Sequence, residues 1–291
     1  MKAGLLYWGL RACVGLVGRL PAPVARGLGR LFGRVWCWLD HRRREMSRRH
    51  MTRVLGGEAG AEEAARRVME SYGRYFAEAL WVRADKAPAI LAKTEVEGLD
   101  LVESARDAGG GMVFALPHLG NWEAAAPVAV NVGVPVVAVA ERLANKRVTD
   151  WFTSMRAELG IEVVLATGRL EVMRRLEQAI AANKAVALLA DRDISGGGVE
   201  VEFFGERTTI PAGPATLALK TGAPLLPVGA YFKGDGHRVV VRPPIAVAES
   251  GSRSERVRAT SQVLAAELEK LIGEAPDQWH ILQPNWPSDE G

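Results

Sequence analysis

The chain has 291 residues, 48% of them hydrophobic and 24% charged, with a formal net charge of +3, which is enough for one sizeable core and does not demand a second. The small net charge hides an asymmetry: residues 1–54 hold twelve Lys and Arg against Asp40 and Glu45, so this segment carries +10 and the remainder −7. No stretch approaches the roughly eighteen uncharged apolar residues that a membrane span requires, and the apolar run after Lys2 is broken at Arg11 with no small-residue cleavage site, so no signal peptide is expected.

The first ninety residues read as helical. Pro21 and Pro23 break an opening helix, Gly56-Gly57 ends a basic one, and residues 61–82 are periodic with acids early. Between Lys2 and Arg34 the arginines recur at 11, 19, 26, 30 and 34 among Leu5, Leu6, Trp8, Leu10, Leu28, Leu31 and Phe32, with Trp36 and Trp38 beyond. That mixture suits an interfacial anchor on an anionic membrane surface; the alternative is an amphipathic helix packed on the rest of the chain. No recognised nucleic-acid module follows Arg42-Arg43-Arg44, so no nucleic-acid partner is expected. Cys13 and Cys37 carry no metal-ligand spacing and are expected to pack, in keeping with a reducing compartment.

From Val96 strands and helices alternate: helix 99–108, a strand reaching His118, helix 122–130, strand 134–140, helix 146–159, strand 161–165, helix 169–182 and a strand reaching Asp191. The expected class is α/β, a largely parallel central sheet with helices on both faces and an N-terminal helical membrane-associating extension. A loop over 194–210, mobile at Gly196-Gly197-Gly198, leads to helix 212–221 and strand 224–232. Lys233-Gly234-Asp235-Gly236 then predicts a hairpin turn into 238–241, before helix 252–272 and an aromatic tail. Residues 1–92 form the helical membrane-associating region and 93–291 the α/β region of one compact domain, expected to be monomeric.

The chemistry concentrates at strand ends. The run Met112-Val113-Phe114-Ala115-Leu116 stops at His118, with Glu123 five positions later, and the run from Ala185 to Ala190 ends in Asp191-Arg192-Asp193. In open α/β sheets ligands bind beyond the carboxyl ends of the strands, and imidazole is the side chain whose unperturbed pKa best suits proton transfer near neutrality. Glu141 and Arg142 end the next strand and Arg156 lies on the following helix. These arginines suit either structural ion pairs with Glu123, Glu141 or Asp193, or phosphate binding; Arg192 leans towards substrate contact. Pro211 opens a segment, Ile210-Pro211-Ala212-Gly213-Pro214, whose helix amides could face an anion or a thioester oxygen.

These blocks, with Phe203-Phe204-Gly205-Glu206-Arg207 and Gly222-Ala223-Pro224-Leu225-Leu226-Pro227-Val228, resemble in order the four motifs of the glycerolipid acyltransferase superfamily. Within it the chain is similar to bacterial lipid A late acyltransferases and, more closely, to actinobacterial phosphatidylinositol mannoside acyltransferases. The latter likeness rests on Ala140-Glu141-Arg142-Leu143, on the segment from Gly198 to Glu206 and on the tail from Trp279 to Trp286. The resemblance implies that His118 is a general base; Glu123 and Asp191 compete to orient it, and the resemblance favours Asp191, with Glu123 then positioning Asp191, His118 or Arg156. It implies substrate contacts among Glu141, Arg142, Arg156, Arg192, Asp193 and Pro211. Two positions depart from the pattern, Glu123 where many members have aspartate and Asp191 where the mannoside enzymes use glutamate. The implied reaction moves a long acyl chain from acyl-CoA, a co-substrate, to a mannose hydroxyl of phosphatidylinositol mannoside at the cytoplasmic face of the cell membrane. No metal or cofactor is expected. An apolar groove for the chain would be lined around 124–130 and 217–225. The rivals are a lipid A type enzyme using acyl carrier protein, an acyl-CoA thioesterase, and a membrane-binding scaffold without catalysis.

Overall fold

Proline and glycine punctuate the N-terminal third. In the computed structural model, α1 (Lys2–Val17) stops before Pro21, α2 (Ala22–Leu39) carries Pro23 in its first turn, and Asp40 accepts a hydrogen bond from the Arg43 amide to start α3 (His41–Val54). After the Gly56-Gly57 turn comes α4 (Ala61–Trp81). The structure describes residues 2–142, 144–166, 168–194 and 196–290, without the side chains of 2–7, 10 and 12. The readings placed on Leu143 and on the side chains of Lys2, Leu5, Leu6 and Leu10 therefore lie outside the described set.

The alternating region follows as α5 (Ala87–Leu91), β1 (Thr94–Glu97), α6 (Leu99–Ala108), β2 (Met112–Leu116), α7 (Ala126–Asn131), β3 (Val136–Ala140), α8 (Lys146–Glu158), β4 (Ile161–Leu165), α9 (Arg169–Ala181), β5 (Ala185–Leu189), β6 (Val199–Phe203), β7 (Glu206–Ile210), α10 (Gly213–Thr221), β8 (Leu225–Lys233), β9 (Gly236–Val241) and α11 (Arg253–Glu274). Seven strands form one sheet in the order β1-β9-β8-β2-β5-β3-β4. All neighbours are parallel except β8 and β9, the hairpin predicted at Lys233–Gly236. Met112, Phe114 and Leu116 point into the core beneath α5, α6 and α7, whereas Val113 and Ala115 point into the other, beneath α9, α10 and α11. β2 is buried along its whole length, which is why its sequence is a continuous apolar run and not an alternation.

Three local readings are corrected. The helix expected over 122–130 is a 3-10 turn (Trp122–Ala124) and then α7, because Pro127 lacks an N–H and sits where a fresh helix starts. The loop expected over 194–210 contains the antiparallel hairpin β6–β7, paired from Val199↔Ile210 to Phe203↔Glu206. Its turn residues Phe204 and Gly205 both have positive φ, 50° and 74°, as tight hairpin turns require. Strand β1, at the sheet edge beside β9, is an element that the alternation expected from Val96 did not include. Of the cysteines, Cys37 packs in the core, but Cys13 is exposed on α1.

Helix α2 meets α4 through small residues. A Cβ at Gly29 or Gly33 of α2, or at Gly73 of α4, would collide with the facing backbone, so the two helices lie closer than larger side chains allow. Ala25, Arg26, Gly29, Gly33 and Cys37 are the buried face of α2. Its large apolar residues, Leu28, Leu31, Phe32, Val35, Trp38 and Leu39, are exposed, Trp38 to 78%. No described helix is long and apolar enough to cross a membrane.

Candidate active site

Strand register builds the site. Leu116 of β2 pairs with Leu189 of β5, so His118 and Asp191, each two residues further on, emerge level at the carboxyl edge of the sheet. Gly120 then turns the chain at φ 57° against the carbonyl of Ala230, where a Cβ would clash. The turn is pinned from two sides. Asn121 N donates to Ala230 O at 3.1 Å, Gly120 N donates to Gln278 O at 2.9 Å, and His280 N donates to His118 O at 2.7 Å.

His118 donates from Nδ1 to Asp191 Oδ1 at 2.7 Å, and its main-chain N–H donates to Asp191 Oδ2 at 2.8 Å. A carboxylate on Nδ1 fixes the tautomer and leaves the Nε2 lone pair to accept a proton. The His118 side chain keeps 19% of its exposure while that of Asp191 has none. Burial alone would push the Asp191 carboxyl up, but the His118 charge and the hydrogen bonds from His118 and the Trp279 indole hold it below the usual carboxylate range. The neighbouring His280 is pulled down to about 3 by burial and by His118, so it stays neutral beside the pair.

Glu123 is buried and does not touch His118; it meets Arg156 of α8, with Nη2 on Oε1 at 2.5 Å and Nε at 3.1 and 3.2 Å from the two oxygens. Of the three partners considered for Glu123, the structure therefore gives Arg156. Arg156 thus makes the ion pair that was one of the two readings for it. Glu141 and Arg142 are exposed beyond β3 and make no hydrogen bond or ion pair among the described residues. Arg192 is half-buried with its Nε enclosed and unpartnered. Asp193 closes its own loop, accepting from the amides of Gly196 at 3.1 Å and Gly198 at 2.7 Å. Pro211 is half-buried one residue before the cap of α10.

Trp122 stands edge-on to the His118 ring, centroids 5.5 Å apart, and stacks on Tyr75 of α4. It also lines a narrow apolar cavity of about 510 Å³, open mouth included, walled by Phe114, Leu116, Ala126, Val128 and Val241. The 124–130 segment therefore borders an apolar space, as the sequence suggested. Residues 217–225 do not: Leu217 and Leu225 face the opposite core.

The sequence reading missed the tail's place in the site. Gln278, Trp279 and His280 run antiparallel to the His118 turn, Trp279 donates to Asp191 Oδ2 at 2.7 Å, and Asn285 donates to Asp191 O at 3.2 Å. Its end is fastened to α3, where Asp289 takes His50 Nε2 at 3.0 Å and Arg53 Nη2 at 2.9 Å. The aromatic density of the tail was the available signal, but nothing in its spacing says which strand end it covers.

A histidine oriented by a buried carboxylate, open on its far nitrogen and adjoining an apolar cavity, is equipped for general-base acyl transfer. Comparison with known proteins points to acyl transfer. The sequence profile of bacterial lipid A biosynthesis acyltransferases matches residues 3–288. A phosphatidylinositol mannoside acyltransferase of Mycolicibacterium smegmatis is 38% identical over 248 residues, covering 84% of this chain and 80% of that protein. A protein of the same name from Mycobacterium tuberculosis is 37% identical over 250 residues, covering 84% and 78%. With the motif order, the strand-end geometry and a match along almost its whole length, the chain belongs to the bacterial lipid A biosynthesis acyltransferase family.

Proposed function

We propose that this acyltransferase moves a long-chain fatty acyl group from acyl-CoA to a mannose hydroxyl of phosphatidylinositol mannoside, working peripherally at the cytoplasmic face of the cell membrane. The observation that carries the mechanism is the 2.7 Å His118–Asp191 pair beside the apolar cavity that begins at Trp122. His118 Nε2 takes the hydroxyl proton as the sugar oxygen attacks the thioester carbonyl, and Asp191 stabilises the imidazolium so formed. Collapse of the tetrahedral intermediate breaks the C–S bond, and the same proton passes to the leaving thiolate. The acceptor is inferred from the names of the two mycobacterial relatives.

Arg142 and Arg192 are the candidate contacts for coenzyme A phosphates, since Arg156 is neutralised by Glu123. The residues after 54 sum to −7, which offers an acidic carrier protein little overall attraction and favours the free thioester. The test is purified enzyme with labelled palmitoyl-CoA or palmitoyl carrier protein, offered mannosylated phosphatidylinositol, a lipid A precursor or water alone. Transfer to the mannoside from palmitoyl-CoA is the expected result. A tenfold or greater kcat/KM preference for the carrier protein, or for either other acceptor, would replace this assignment.

Asp191→Asn is expected to cost more activity than Glu123→Gln, because only Asp191 touches the imidazole and an amide cannot stabilise the imidazolium as a carboxylate does. Steady-state kcat for the two variants decides this; a larger loss at Glu123 would reverse the two roles.

The exposed side of α2 is the proposed membrane contact. Arg30 and Arg34 flank its apolar ridge, and an apolar patch of this kind on a water-facing helix marks an interaction surface. Removing α2 altogether would strip the buried Arg26 from its partner Glu78, so substitutions on the outer face are the cleaner probe. Leu31→Glu with Trp38→Glu is expected to reduce flotation with anionic vesicles by tenfold or more, since burying each such side chain is worth about 1.5–3 kcal/mol. The melting temperature should hardly move, and attachment of the unaltered protein should weaken with salt at about 1 kcal/mol per arginine engaged. Unchanged flotation would place the contact elsewhere.

A further inference from the structure

The Asp191 carboxylate is wholly enclosed, and among the described residues it accepts three hydrogen bonds: His118 Nδ1 on Oδ1, and the His118 main-chain N–H and Trp279 indole N–H on Oδ2. Two of these donors belong to the residue that Asp191 orients. Trp279 supplies the one that is independent of it. A carboxylate turns easily about its last side-chain torsion, whose wells are broad, and such a turn would tilt its plane and aim its oxygens away from the imidazole. An indole N–H resists the tilt because it is a donor only, has a single direction, and cannot accept the proton that His118 carries.

The indole is itself immobilised. Trp279 is fully buried, its ring lies edge-on to Phe203 (6.1 Å, 82°) and Trp286 (6.1 Å, 80°), and its backbone bridges to Leu119 beside the catalytic turn. We infer that Trp279 is a positioning residue for acyl transfer: its indole N–H holds the plane of the Asp191 carboxylate so that one oxygen stays aimed at His118 Nδ1 through the catalytic cycle. The assignment rests on the general-base role proposed for His118.

Trp279→Phe keeps an aromatic ring and removes the donor. Loss of a hydrogen bond to a charged group is expected to lower kcat by about tenfold or more, with KM for palmitoyl-CoA and for the acceptor changed by less than about twofold. In an Asp191→Asn background the same substitution should change kcat by less than about twofold, because the carboxylate it positions is already gone. Equal losses in the two backgrounds, or full kcat in the single variant, would overturn the assignment while leaving the dyad in place. Full activity of Asp191→Asn alone would instead remove the dyad, and the assignment with it. Should Trp279→Phe fail to fold, the indole N–H resonance of Trp279 in the ¹⁵N-labelled full chain carries the test. Asp191→Asn should shift that resonance and leave those of the exposed tryptophans in place; an unmoved signal would rule the hydrogen bond out.

Discussion

Replacing His118 by alanine is expected to lower acyl transfer by at least about 10²-fold, the smaller end of what a positioned general base contributes. The variant should stay folded. Asp191 would still accept the main-chain N–H of residue 118 and the Trp279 indole, so the carboxylate is not stranded in the core. The tail and β8 would still hold the turn through backbone bonds that owe nothing to the imidazole. Palmitoyl transfer to mannosylated phosphatidylinositol, read alongside far-ultraviolet circular dichroism, checks both halves. A folded variant within tenfold of full turnover would end the general-base mechanism.

Glu78→Ala is expected to lower the free energy of unfolding by about 3–5 kcal/mol, the range for breaking a buried ion pair from one side. Glu78 on α4 is 2% exposed and accepts from Arg26 of α2 at 2.6 Å, from Arg74 at 2.9 Å, from His237 of β9 at 2.7 Å and from Asn121 at 2.8 Å. Burial alone would raise its pKa, but the hydrogen bond and charge of His237 and the charges of Arg74 and Arg26 outweigh that and hold it well below the usual carboxylate range. A carboxyl depressed on folding contributes stability that is present above its unfolded pKa and lost as pH falls through the folded value. The wild type should therefore lose stability progressively in acid, and Glu78→Ala should flatten part of that dependence. Denaturant titrations of both proteins from neutral to acidic pH measure the effect, and a loss below about 1 kcal/mol at neutral pH would show the cluster to be dispensable. Because Asn121 closes the His118 turn, the same substitution should also reduce activity.

The α/β architecture was legible in the sequence, and so was the position of His118 and Asp191 at strand ends, but the preference for Asp191 over Glu123 as the partner of His118 came from the family resemblance. Short apolar runs such as Met112–Leu116 and Ala185–Leu189, bounded by turn signals, read as strands of a covered sheet, and the alternation with helices makes that sheet parallel. Parallel strands end on the same edge, so His118 and Asp191 were expected at one edge of the sheet, and the strand order that sets β2 beside β5 makes them neighbours there. That inference needs no side-chain geometry. The β6–β7 hairpin was legible in principle, since Val199, Val201 and Phe203 alternate with Glu200 and Glu202, but its glycine-rich approach drew the loop reading instead.

Tertiary structure alone decided which charges meet. Glu123 and Arg156 are 33 residues apart, Glu78 and His237 are 159, and Trp279 and Asp191 are 88, and no local period encodes contacts at such separations. It also decided which way α2 faces. Amphipathicity marks two sides of a helix without saying which is buried, and the usual inference would turn Leu28, Leu31, Val35 and Trp38 inwards. Gly29, Gly33 and Gly73 overrule it, because close approach of two backbones buries the small residues of α2 against α4 and leaves its large apolar side chains outside, Trp36 excepted.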